Sequence, residues 1–231
     1  MKILALLFLT SFCIAQNKNL TVTYGLVFQN DELINKDGGM FKVHYDYAVA
    51  NPNRFMFDLK IDSFGSSFEI KNKLSTDEKT LSDKLAFVFA KYPGLILSFR
   101  DSILKQSTLL GNKVFIKSEV IKGWTLTNES KEIDGYLCYK AVNIDRVVNG
   151  SSVFEHPIIA WYCPKLPFSY GPIGYGNLPG LILQLQVRNV VYGVSKIDFD
   201  ADNLPDYSIL KKGEIISEDE ESFRLKSLFD D

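Results

Sequence analysis

The sequence predicts a mainly β protein: a single strongly curved antiparallel sheet, or a partly open β-barrel, with about two helices. A two-sheet β-sandwich is the alternative reading of the same pattern. Three observations point there. Apolar and polar residues alternate along many short segments. Those segments are parted by turn-forming clusters such as Asp37-Gly38-Gly39, Asn51-Pro52-Asn53 and Asn149-Gly150. Only two stretches carry apolar residues at helical spacing.

The chain opens on Lys2, an apolar run from Ile3 to Leu9, and Cys13-Ile14-Ala15 before Gln16. This order of charge, short apolar run and small residue predicts a secretory signal over 1–15 and export to the periplasm, the cell surface or the medium. The run is too short to span a bilayer, and no later stretch is apolar for long enough. Residues 16–231 then form a single β-rich domain, long enough to bury a core without staples. The net charge of −2 favours neither nucleic acid nor an anionic membrane.

Residues 19–28 and 40–49 read as the first two strands, with Phe41, Val43, Tyr45 and Tyr47 on one face of the second. Residues 54–61 and 66–70 continue the alternation. Ser75-Thr76-Asp77-Glu78 has the spacing of a capping box, and Leu81, Leu85, Val88 and Phe89 follow on one helical face. Tyr92-Pro93-Gly94 ends that helix. Residues 95–99, 111–119 and 124–127 return to strand character, and 181–187 and 191–199 form a later pair around Arg188-Asn189-Val190. Ser217 stands three residues before Glu220 and opens a second helix, acidic at its start as the helix dipole favours.

Between these lies a hairpin, 136–147 and 153–163, which carries the two cysteines left after cleavage, Cys138 and Cys163. If the turn is centred between Gly150 and Ser151, the two cysteines face each other directly; with a tight Asn149-Gly150 turn they sit two residues apart on one face. An even pair in an exported chain predicts a disulfide. Two reduced, buried cysteines are the alternative.

After Cys163 the composition changes. Pro164, Pro167 and Pro172 alternate with Gly171, Gly174 and Gly176, a run that cannot be helical. It predicts a rigid loop pinned to a strand from Leu181, in which Leu183, Leu185 and Val187 alternate with Ile182, Gln184 and Gln186. The segment Gly176-Asn177-Leu178-Pro179-Gly180-Leu181-Ile182 resembles the signature of the GLPGLI family of secreted Bacteroidetes proteins, with Asn177 as an extra residue or in place of a second glycine. The resemblance extends through Trp124, the segment from Asp134 to Ala141, Ala160-Trp161-Tyr162 and Gly171-Pro172. It implies secretion and assigns no activity to any residue.

The chemistry-bearing residues are sparse. His44 and His156 lie on separate segments without ligand-spaced partners. Pairing His156 with a Cys163 nucleophile would need a free thiol and would put the two on opposite faces of one strand. The carboxylates Asp58 and Asp62 are a formal glycosidase-like pair, read here as solvated acids. Asp198, Asp200 and Asp202 with Asn203 begin like a calcium loop but lack its glycine and distal glutamate. No catalytic residue, metal or cofactor is expected. The rings of Trp161, Tyr162, Phe168, Tyr170 and Tyr175 cluster around the loop and are the expected ligand contacts, with core filling as the competing role. The expectation is an exported, non-enzymatic binding or accessory module for an apolar ligand, a peptide or an outer-membrane transport partner. A hydrolase with an unannounced carboxylate pair and a structural surface protein are the alternatives.

Overall fold

A computed structural model of the chain describes residues 19–29, 39–71, 80–109, 111–149, 152–199 and 201–227. The signal segment 1–15, the Ser75–Glu78 capping box and Asp200 lie outside these residues.

Twelve strands form one sheet: β1 (Leu20–Phe28), β2 (Phe57–Ile61), β3 (Ser66–Ile70), β4 (Ile96–Ser98), β5 (Ser102–Leu109), β6 (Asn112–Glu119), β7 (Thr125–Ile133), β8 (Tyr136–Asn149), β9 (Ser152–Cys163), β10 (Leu181–Val187), β11 (Val190–Phe199) and β12 (Glu214–Ser217). Their order across the sheet is β12-β6-β5-β4-β3-β2-β1-β11-β10-β9-β8-β7. The ends β12 and β7 are not paired with each other, so the curved sheet stays open, and no second sheet forms a sandwich among the described residues. The expected all-antiparallel pattern is corrected at one edge, where β12 pairs parallel to β6. Sequence reasoning missed both β12 and β5.

The hairpin register is the one that places the cysteines opposite each other. Asn149 pairs with Ser152 and, without a slip, Tyr139 pairs with Tyr162. The alternation in β10 departs from expectation at its start. A bulge between Ile182 and Gln184 lets Leu181, Ile182 and Leu183 all be buried.

Three α-helices lie among the described residues: α1 (Met40–Ala50), α2 (Leu81–Phe89) and α3 (Glu218–Lys226). The strand expected over 40–49 is therefore a helix. Its alternating apolar residues also fit a helical stripe, and tertiary packing chose that stripe. Tyr45 and Ala48, three apart, are buried, while Phe41 and Val43 are exposed. Tyr45 packs edge-on against Phe28 of β1 and Phe89 of α2, at 5.5 and 5.3 Å. The helical signal was the charge pair Lys42–Asp46, which closes at 2.6 Å at i,i+4 spacing.

Helix α2 starts at a different box from the one expected. The Thr80 hydroxyl accepts from the Asp83 backbone, and the Asp83 carboxylate accepts from the Thr80 N–H at 2.9 Å. Its buried face is also different: Asp83 and Ala86 face inward, while Leu81 and Val88 are exposed. The face is set by Asp83, which accepts from the Arg54 Nε and one Nη, each at 3.1 Å, and from the Tyr47 hydroxyl at 3.1 Å. Burial pushes the Asp83 pKa upward, but these bonds outweigh it and hold the carboxyl below its ordinary range. The C-terminal helix matches expectation, with Ser217 as its cap.

The inner face of the sheet is filled. Phe57 of β2 stacks on Phe68 of β3 at 5.2 Å, and Tyr92 and Tyr192 meet Phe57 edge-on at 4.9 and 5.5 Å. The Tyr192 hydroxyl donates to the Ala90 carbonyl at 2.7 Å, so the buried phenol is satisfied. On the opposite face, Leu97, Leu104 and Phe115 are covered by the segment carrying Tyr207, Ile209 and Leu210. The curved sheet is thus no empty bowl. One cleft lies at its margin, beside the loop between β9 and β10.

Candidate functional site

The loop between β9 and β10 is held by its own backbone. Leu166 N–H donates to Cys163 O as the chain leaves β9, and Leu181 N–H returns to Leu166 O at 2.9 Å. Tyr170 and Gly176 form a lone bridge, Asn177 N–H donates to Ser169 O at 2.9 Å, and Ile182 N–H donates to Tyr170 O at 3.1 Å. Between them Pro172–Gly174 makes one 3-10 turn, with proline at its first position. These bonds bring the two halves of the loop within backbone contact. A β-carbon on Gly176 would lie 2.4 Å from Ser169 O, and one on Gly180 would lie 2.2 Å from Cys163 O. Gly180 also has φ +153°, which side-chain-bearing residues avoid. Within the signature segment Leu178, Leu181 and Ile182 are buried, whereas Pro179 is exposed.

Trp124 fastens the loop from outside. Its indole N–H donates to Gly176 O at 3.0 Å, and its ring meets Tyr175 at 6.3 Å. The Asn177 amide donates to Ile121 O at 3.1 Å. Burial pushes the Tyr175 hydroxyl up to about 12, with the Asp145 charge adding and Arg188 opposing.

One side of this loop walls a cleft of ≈ 520 Å³, within the usual size of a small-ligand site. Of the five rings expected as ligand contacts, Phe168, Tyr170 and Tyr175 line it. Trp161 and Tyr162 do not. They belong to β9, where Tyr162 is buried beside Tyr139 and the Lys131 ammonium sits 4.3 Å from the Trp161 ring centre. The other wall comes from two turns of which sequence reasoning singled out only Asp62. The β2–β3 turn supplies Asp62, Ser63 and Phe64, and the β4–β5 turn supplies Phe99 and Arg100. Phe64 is 78% exposed. A phenylalanine inside a tight turn, where polar residues are usual, was the available signal.

Among the described residues Asp62 is the one carboxylate lining the cleft. Its Oδ1 accepts from Phe64 N–H, Gly65 N–H and the Tyr207 hydroxyl, at 2.8, 3.0 and 2.9 Å. Burial raises the Tyr170 pKa, and the Asp62 charge adds to the rise. Asp58 belongs elsewhere, buried on β2 and accepting from the Thr23 hydroxyl at 2.7 Å. The two carboxylates are therefore engaged in separate networks.

The remaining polar candidates lie outside the cleft. His44 Nδ1 is 2.8 Å from Ser82 Oγ and joins α1 to α2. His156 lies opposite Asp145 in the hairpin. Asp198 pairs with Lys196 at 2.9 Å. Among the described residues no group of histidines, cysteines and carboxylates is placed to hold a metal ion.

Residues 151–184 match the family model described as "Protein of unknown function (Porph_ging)". The matched span runs from the hairpin turn through β9 and the loop into β10, so it contains the Leu178–Ile182 segment. Two solved structures of PNGF-II, in space groups P21 and C2, are similar in fold. They are 20% and 18% identical, with TM-scores of 0.57, and the likeness covers 91% and 90% of this chain. The chain spans about a third of the length of those structures, 34% and 33%. No curated protein matches it.

Beneath the loop, Cys138 and Cys163 are fully buried. The pairing of Tyr139 with Tyr162 puts them opposite each other at the next position. Burial pushes the Cys138 thiol up to about 12, and the adjacent Cys163 adds to the rise. Both are free thiols in this structure. No helix among the described residues is long and apolar enough to cross a membrane.

Proposed function

We propose that this chain is an exported, non-enzymatic binding module whose ligand occupies the cleft beside the β9–β10 loop. The observation that carries the reading is the preformed wall: rings held by a backbone-stapled loop, facing a nearly free Phe64 ring. A rigid aromatic surface binds with little loss of conformational freedom. The hydrolase alternative asks for two facing carboxylates, whereas the cleft offers Asp62, already accepting three hydrogen bonds through one oxygen. Among the occupants first expected, a ligand with an apolar or planar face fits the rings best. A partner of the outer-membrane transport machinery would have to dock the same wall. The buried, opposed cysteines fit the export reading, as a bridge formed outside the cytoplasm.

The experiment is recovery of the exported protein from its native producer, with mass analysis of bound small molecules and peptides. A species retained by the wild type and lost from Phe64→Ala supports the reading. If nothing retained depends on Phe64, the cleft binds nothing.

The filled inner face of the sheet favours a second reading, a purely structural surface protein. On that reading Phe64→Ala leaves every property of the exported protein unchanged.

A further inference from the structure

The cleft also constrains the chemistry of what it holds, given the binding reading above. Aromatic side chains from three separate segments line it: Phe64, Phe99, and the loop residues Phe168, Tyr170 and Tyr175. Between them stand two opposite charges, Asp62 and Arg100, so the lining is neutral in sum. The Asp62 Oδ2 atom and the Arg100 guanidinium have no hydrogen-bond partner among the described residues. The same holds for the Asn177 side-chain oxygen, which also lines the cleft. The wall therefore carries acceptor-only groups, a donor-only group and aromatic side chains within one concavity.

Each common ligand class meets this lining differently. A fatty chain would cover Asp62 and Arg100 without replacing their water, which is costly for charged groups. A phosphate-bearing ligand would bring its charge against Asp62. A peptide added as a strand needs a free sheet edge, and β2, β3, β4 and β5 each have a neighbour on both sides. A hydroxyl can donate to a carboxylate and accept from a guanidinium, and a sugar ring carries both hydroxyls and an apolar C–H face. We infer that the cleft is a binding site for a neutral saccharide, stacked on Phe64 and the loop rings and hydrogen-bonded by Asp62, Arg100 and Asn177.

The test is an array of neutral and anionic oligosaccharides probed with the full exported chain, with dodecanoate and a displayed peptide library as parallel arms. Phe64 is 78% exposed and Arg100 is exposed, so Phe64→Ala and Arg100→Ala leave the fold intact, which a melting curve checks. The expected result is retention of a neutral oligosaccharide, weakened roughly tenfold by each variant. Absence of any neutral sugar whose retention falls in these variants overturns the inference. If dodecanoate or a peptide is instead retained in a Phe64-dependent way, the saccharide is wrong and the binding reading stands. If nothing retained depends on Phe64, both fall.

Discussion

Gly180 packs against the backbone carbonyl of Cys163 so closely that a β-carbon on it would lie 2.2 Å from that oxygen. The contact joins the end of the loop to the end of β9, at the point where Leu181 enters register with Cys163. The glycine of the signature segment is thus a steric requirement of the loop's closure.

Gly180→Ala is expected to cost about 3 kcal/mol or more, since both the φ of +153° and the missing space oppose it. A melting curve should fall by roughly 6–12 °C for a chain of this size. Pro179→Ala, at an exposed position, should leave the curve nearly unchanged. Equal melting temperatures for wild type and Gly180→Ala would remove the steric account.

Asp83 gives a pH dependence with a definite sign. Its folded pKa is depressed, so its stabilisation is complete above the ordinary aspartate value of about 4 and is lost as pH falls through the folded value. Asp83→Asn should cost about 2 kcal/mol at neutral pH, discounted because Arg54 is partly exposed, and should flatten the acid side of the stability profile. Denaturant titrations at several pH values measure both. Parallel profiles for the two proteins would mean that Asp83 does not set the acid limb.

The exported protein should carry a Cys138–Cys163 bridge. Alkylation without reductant, followed by mass spectrometry, should leave both cysteines unlabelled, and reduction should cost about 3 kcal/mol. Labelling of both under denaturing, non-reducing conditions would show a reduced pair. The same spectrum should place the mature N-terminus at Gln16.

Trp124→Phe keeps a ring beside Tyr175 but removes the indole donor to Gly176 O. The loss should be about 1 kcal/mol, with faster proteolysis within 164–180 than elsewhere in the chain. Uniform proteolysis would mean that Trp124 does not hold the loop.

Local features were readable in the sequence, and the assembly of distant ones was not. The proline and glycine run announced the rigid loop, and the hairpin turn left two registers open, of which the structure adopts the one that places Cys138 against Cys163. The segment from Met40 misled because its apolar residues satisfy both periods, and contacts with Phe28 and Phe89 decided for the helix. The inward face of α2 was hidden because a charged residue, Asp83, defines it. Trp161 and Tyr162 looked like loop rings by proximity in the chain, yet they belong to strand β9, which has a neighbour on both sides. Phe64, Phe99 and Arg100 reach the cleft only through the order of strands across the sheet, which no local pattern encodes.

That strand order has a thermodynamic consequence. The walls of the cleft come from three stretches far apart along the chain, around Asp62, Phe99 and Tyr170. An occupant touching all three would act as a non-covalent cross-link, opposing separation of β2, β4 and the β9–β10 connection during unfolding. Occupancy should therefore be legible as resistance to heat, rising with the logarithm of ligand concentration, with no enzymatic readout required.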